Sequence, residues 1–361
     1  MPLRVRLRRA LALPAIAALT ALLTFIGAGT ASADPVPIGL PIGEVAFQAN
    51  TNHLFVYNSA NNAHADVGFG MAAGTSPALS TLPSGAGELT APVAFQANSG
   101  VLWLYYPATN GHTDTGLHMA PGTSPSVAPG SDDFAVAFQG SNGHLIIYDV
   151  LSGGYQDSGL GMAAGTSPSI QEEALPCPKG ELFCYDFLVA FQANTGHLFL
   201  YDVADSSHSD LNLGMAAYTS PSLGPGSVGY PVAFQANTGN LWVHYQINNT
   251  NVNSGLGMAA ETSPSLAAAP GGGFLVAFQA STGHLFTYNS GTNAHQDSGL
   301  GMALFTSPAM GYSPDASEYE VAFQANTGHL FTYFPTTRAD RDTGLGMSPE
   351  TSPSTIGYGA S

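Results

Sequence analysis

One phrase, Val-Ala-Phe-Gln, occurs seven times, beginning at Val45, Val93, Val136, Val189, Val232, Val276 and Val321. The steps between copies are 48, 43, 53, 43, 44 and 45 residues. A repeat of this length is one supersecondary unit that cannot bury its apolar faces alone and must stack on its neighbours. The copies run from residue 45 almost to residue 361, and no stretch of comparable size remains for a separate catalytic domain.

The sixth copy shows the internal grammar. Val276-Ala277-Phe278-Gln279-Ala280 alternates large and small residues, as a strand does. Ser281-Thr282-Gly283 supplies a turn, and His284 to Tyr288 a second strand. A polar loop is expected over 289–296, then a short third strand at Asp297–Met302. Thr306-Ser307-Pro308 leads into a fourth. Four short strands per copy with no helical period is the pattern of a propeller blade. Seven copies predict an all-β, seven-bladed β-propeller with four antiparallel strands per blade. The segment Thr351–Ile356 has no following copy, so it is expected to complete the first blade and close the ring. The Phe of every phrase and a Leu seven residues later supply core. The methionines at 71, 119, 162, 215, 258, 302 and 347 read as core filler.

Charge narrows the partners. The chain has 24 acids, 7 bases and a net charge of −17. Four of the bases, Arg4, Arg6, Arg8 and Arg9, precede an apolar run over 10–27 and an Ala31-Ser32-Ala33 site. That is the pattern of a secretory signal over 1–33, with the mature propeller at 34–361. Without that leader the charge is −21, with 3 bases against 24 acids. Counterion-release binding to nucleic acid is excluded, because it needs clustered Lys and Arg. No later segment is apolar enough to span a membrane, so a secreted, extracellular protein is expected, with no membrane insertion after cleavage. The two cysteines, Cys177 and Cys184, are expected to form a disulfide pinning the insertion in the longest step.

The order Gly-Leu-Gly-Met, Thr-Ser-Pro-Ser, Val-Ala-Phe-Gln, Thr-Gly-x-Leu-Phe/Trp resembles the blade grammar of bacterial seven-bladed lectins of the Photorhabdus fucose-binding type. It also resembles tectonin-like propellers and repeat modules of secreted actinobacterial proteins. The resemblance spans about residues 44–358 and implies sugar sites in grooves between neighbouring blades. Blades of those lectins carry several Trp each. This chain has only Trp103 and Trp242, so no family binding residue carries over.

Two recurring polar positions are the candidate ligand contacts. The first is the glutamine of the phrase: Gln48, Gln96, Gln139, Gln192, Gln235, Gln279 and Gln324. An amide can donate to and accept from sugar hydroxyls, or bridge strands inside the fold. The second is the histidine opening the second strand: His53, His144, His197, His284 and His329, replaced by Val101 and Asn240 in copies two and five. One histidine per blade is too dispersed to ligate a common metal. A tyrosine four residues on, at 57, 105, 148, 201, 288 and 333, reads as packing between blades. The aspartate before the third-strand glycine reads as an Asx turn. Asp132, Asp133, Glu172 and Glu173 read as solvated loop carboxylates. No catalytic residue, metal or cofactor is expected, because a nucleophile would stand once, in a unique context. The expected function is carbohydrate binding by repeated weak sites on glycans or cell-surface polysaccharide. An extracellular protein-interaction scaffold is the alternative, and a secreted hydrolase ranks below both.

Overall fold

The computed structural model describes residues 44–80, 91–130, 133–175, 184–268, 273–313 and 318–355. These form seven four-stranded antiparallel sheets, the blades of a ring, numbered here by the copy of the phrase each holds. Their innermost strands are Ser354–Thr355, Ala78–Leu79, Ser126–Pro129, Ser169–Leu175, Ser222–Leu223, Ser265–Ala268 and Ala309–Ser313 for blades 1 to 7. Each innermost strand contacts the next, and that of blade 7 returns to that of blade 1. Among the described residues no helix is long and apolar enough to cross a membrane.

Each blade combines two copies. In blade 4 the innermost strand, Ser169–Leu175, comes from the Thr-Ser-Pro segment of the third copy. The strands Cys184–Gln192, His197–Asp202 and Ser207–Gly214 come from the fourth. Blade 1 takes its innermost strand from the C-terminal end of the described chain: Val45 pairs with Thr355 and Ala46 with Ser354. The expected ring closure is therefore present.

The alternation inside Val-Ala-Phe-Gln explains the stacking. Val and Phe point to the preceding blade, and Ala points to the following one. At every joint the Val and Phe of one blade cluster with an Ala from the phrase of the blade before. Val93 and Phe95 meet Ala46, Val189 and Phe191 meet Ala137, and Val45 and Phe47 meet Ala322 across the closing joint. All seven Phe are fully buried or nearly so, each contributing about 1.5–3 kcal/mol. A large-into-small fit fixes which blade face meets which. The seven methionines are buried beside these clusters, as core filler requires.

Thr-Ser-Pro forms a belt that its sequence did not announce. The Thr is fully buried in all seven copies. The Ser is the link: its backbone N–H donates to the Ser hydroxyl of the next copy, at 2.8–2.9 Å. The series runs 76→124→167→220→263→307→352 and returns from Ser352 to Ser76. Seven bonds thus encircle the inner face of the ring.

A second series runs the other way, two residues on. Leu79, Ile170, Leu223, Leu266 and Met310 donate N–H to Ser354, Ser126, Ser169, Ser222 and Ser265. The remaining two positions hold Ala78 and Ala309, which have no hydroxyl. Ala78→Ser is therefore expected to add a sixth bond, from the N–H of Val127. The gain is about 1 kcal/mol, the net value of one such bond, read as a higher midpoint in denaturant unfolding. A lower midpoint would mean that the site cannot take the hydroxyl.

Two expectations change. The third strand is longer than expected: in blade 6 it spans Ala294–Gly301, not a short piece from Asp297. The preceding turn is tight because Asn293 adopts a left-handed backbone (φ 55°), and the strand's polar outer residues hid its alternation. Glu172 and Glu173 lie within the innermost strand of blade 4, not in a loop, with Glu173 directly opposite Asp186. The secretory leader and Cys177 lie outside the described residues, and Cys184 is described only as the first backbone position of its strand.

Candidate functional site

Second strands begin and third strands end on one face of the ring. There the five histidines meet five aspartates from the third strand of the same blade. Nδ1 of His53, His144, His197, His284 and His329 lies 3.0–3.2 Å from a carboxylate oxygen of Asp66, Asp157, Asp210, Asp297 and Asp342. Both members of each pair are about 33–45% exposed at the side chain. A carboxylate can only accept, so Nδ1 carries a proton, and in the neutral form of the ring Nε2 is the acceptor. Among the described residues Nε2 has no protein partner in these five histidines.

The aspartate is itself held. One carboxylate oxygen accepts the backbone N–H two residues on, at 2.7–2.8 Å: Gly68, Gly159, Asn212, Gly299 or Gly344. This is the expected Asx turn. Partial burial alone would raise these carboxyls, but the backbone N–H and the imidazole outweigh it. They hold Asp157, Asp210, Asp297 and Asp342 below the ordinary carboxylate range.

Sequence reasoning named the histidine and the aspartate separately and missed the pair. The signal was present: they stand 13 residues apart in all five copies, and copy five loses both, with Asn240 and Asn253. Copies two and five, which lack the histidine, carry the two tryptophans at the aromatic position two residues on. Behind four of the five histidines the strand places a phenylalanine and then a tyrosine on the same face; behind His144 the first of these is Ile146, which is buried. In blade 4 these are Phe199, half-buried, and Tyr201, buried in the joint with blade 3. The outer face of Phe199 stacks on His208 of the third strand (interplanar angle 9°), as Phe286 does on His295 and Trp103 on His112. The tyrosines are thus packing residues between blades.

The seven glutamines lie elsewhere. They are 0–2% exposed and point toward the opposite neighbour from the histidine of their own copy. Six of the seven Nε2 groups donate to a carbonyl of the link leading into the next blade, 24 residues on: Gln48 to Ala72, Gln96 to Ala120, Gln192 to Ala216, Gln235 to Ala259, Gln279 to Ala303 and Gln324 to Ser348. The distances are 3.1–3.2 Å. Gln139 reaches Met162 at 3.3 Å. This position fastens each blade to its successor and offers no surface to a ligand. The face is completed by the turn after the phrase, whose asparagine (Asn50, Asn98, Asn194, Asn237 or Asn326) packs on the last third-strand glycine of the preceding blade at five joints. A Cβ at Gly161 would stand 2.5 Å from the amide nitrogen of Asn194, so a larger residue there would have to displace the Asn194 side chain.

No protein-family model and no curated protein matches the chain. Solved structures resemble it in fold. One is TolB from Acinetobacter baumannii, at 14% identity and a TM-score of 0.44 over 88% of this chain and 67% of that one. Another is a variant of the Aleuria aurantia lectin in complex with Fucα1-6GlcNAc. It has 13% identity and a TM-score of 0.48 over 79% of this chain and 96% of that one.

Other carboxylates are structural. Asp133 accepts the N–H of Phe134 and of Leu151, at 2.6 and 2.9 Å, and so fastens a loop of blade 3 instead of solvating it. Burial, reinforced by Asp149 beside it, pushes its carboxyl up to about 7. Asp132 lies outside the described residues. Among the described residues no three His, Cys, Asp or Glu side chains gather as a metal site would need.

Proposed function

We propose that the protein is an exported, non-catalytic carbohydrate-binding propeller. Its sites are weak and repeated, one at the outer rim of each blade that carries a His–Asp pair. The observation that supports this most directly is the fivefold repetition of a half-exposed imidazole held by a carboxylate. Fixing the ring through Nδ1 removes the rotational freedom a ligand would otherwise have to quench, and it leaves Nε2 to accept a sugar hydroxyl. At four of the five sites a half-buried phenylalanine beside it, Phe55, Phe199, Phe286 or Phe331, offers an apolar surface. Blades 2 and 5 are outside this set.

A single site of this kind is shallow, and its use lies in multiplicity. Sites repeated on one face raise retention on a multivalent glycan by roughly 10²–10⁴ over one site. The test is a glycan array, followed by calorimetry on a hit. His197→Ala and Asp210→Asn are each expected to silence one site without changing the melting temperature, and alanine at all five histidines to abolish retention on polysaccharide. Gln192→Ala is expected to lower the melting temperature. Full binding by the five-alanine protein, or no glycan bound at all, would overturn this reading.

A further inference from the structure

A second feature of the same face is not repeated. The links that carry the chain from the outermost strand of one blade to the innermost strand of the next each contain a left-handed residue, two positions before the serine of the belt. The seven are Gly74, Gly122, Gly165, Tyr218, Glu261, Phe305 and Glu350, with φ between 60° and 72°. Glycine takes this conformation freely, whereas a residue with a Cβ is disfavoured in it. Three links use glycine, so the fold does not need a side chain there. The other four, contiguous around the ring, carry Tyr, Glu, Phe and Glu despite the strain.

These side chains are not recovered as core. Tyr218 is 60% exposed, Phe305 46% and its neighbour Leu304 73%, and both glutamates are exposed. Adjacent links lie within reach of one another: the ring of Tyr218 comes within 3.2 Å of where a Cβ would stand at Gly165. Tyr218 therefore lies over the neighbouring link, which glycine keeps low. Half of the rim at this mouth of the ring is thus bare, and half alternates aromatic and carboxylate groups.

We infer that this half-rim, Tyr218, Glu261, Leu304, Phe305 and Glu350, is the docking surface for a basic segment of a partner protein whose Lys or Arg residues are flanked by apolar ones. Leu304 and Phe305, adjacent in one link, and Tyr218, two links away, are large exposed apolar side chains of the kind that anchor a partner. The interleaved carboxylates set the charge of what covers them, and the chain's own charge of −17 draws a cationic partner in. The surface occurs once on the ring, which suits a single protein partner and not a ligand read identically by several blades. The inference stands apart from the glycan reading and does not use the His–Asp pairs.

The experiment uses the secreted full-length protein and a fluorescein-labelled 14-residue Lys/Leu peptide as probe, read by fluorescence anisotropy. The wild type is expected to bind it. Tyr218→Gly with Phe305→Gly is expected to weaken binding at least tenfold while the melting temperature holds or rises, because glycine relaxes both links. Leu304→Ala, at a position with no backbone strain, is expected to weaken binding with no change in melting. Glu261→Gln with Glu350→Gln is expected to weaken binding more than Asp340→Asn on an outermost strand. The inference is overturned if the wild type does not bind the peptide, or if the glycine and Leu304→Ala variants bind it as the wild type does. It is also overturned if the variants lose a glycan and keep the peptide.

Discussion

Deleting residues 350–361 is expected to lower the melting temperature of the whole ring by about 5 °C or more, in one cooperative transition. The deleted segment includes the innermost strand of blade 1 and one station of the serine belt. Ser307 loses its acceptor on Ser352, Ser76 loses its donor, and Leu79 loses its acceptor on Ser354. Thr351, fully buried, no longer bonds the Ser348 carbonyl, and the ladder at Val45 and Ala46 goes. At about 1 kcal/mol net for each bond, and more for each buried N–H left without a partner, the loss is several kcal/mol. A domain's whole stability is about 5–15 kcal/mol, and each kcal/mol moves the midpoint of a chain this long by roughly 1–2 °C. Calorimetry checks this. An unchanged midpoint, or a small early transition followed by the wild-type one, would mean that the blades stand without closure.

The fold was legible because the period was. Val-Ala-Phe-Gln exposes its meaning in sequence: the large residues and the small one sit at alternate positions, so the copies must fit large into small. The Leu and Met positions, and the tyrosines between blades, follow from the same alternation. What the sequence concealed was carried by polar atoms. Thr-Ser-Pro looked like turn punctuation, yet its serine is a hydrogen-bonding station to another copy more than 40 residues away. Such a bond leaves no local pattern, because both partners are a backbone N–H and a common hydroxyl. The glutamine was ambiguous for the same reason. An amide repeated in every copy suits a ligand and a scaffold equally, and only burial separates the two.

The His–Asp pair shows a different limit. Each residue had a sufficient local explanation, a strand-end histidine and an Asx turn, and their joint loss in copy five was the trace of the contact. The half-rim shows a third. Tyr218, Glu261, Phe305 and Glu350 occupy the position that is glycine in the first three copies. In sequence nothing sets them apart from other loop residues. The left-handed backbone is what turns them into an exception, since strain without burial needs a reason outside the fold. Repetition marks what the ring requires of every blade, and departures at constrained positions mark what one sector does alone.

The closing joint has one such departure in its interior, and it makes the ring sensitive to pH. Glu320 is 4% exposed on the strand of blade 7 that holds Val-Ala-Phe-Gln, Glu318–Gln324, next to blade 1. One carboxylate oxygen accepts the Ser59 hydroxyl at 2.8 Å. The other is buried and accepts no bond among the described residues. Arg341 spans the same joint, donating to the Ser59 carbonyl at 2.9 Å. Burial pushes the Glu320 carboxyl up to about 7, against the opposing pull of Ser59 and Arg341. The folded chain therefore holds a proton here that the unfolded chain gives up near the ordinary glutamate value. The stabilisation is complete below about 4.5 and is lost as pH rises through 7, by roughly 3 kcal/mol in all. Glu320→Gln keeps an acceptor for Ser59 and cannot ionise. Its stability relative to the wild type is expected to rise between pH 5 and pH 8 by roughly that amount, since both folded chains are neutral at this position at pH 5 and only the folded wild type must charge it at pH 8. Urea unfolding at the two pH values measures it, and the comparison cancels the titration of every group the two proteins share. Parallel stability curves would show that the folded joint accepts the carboxylate in its charged form.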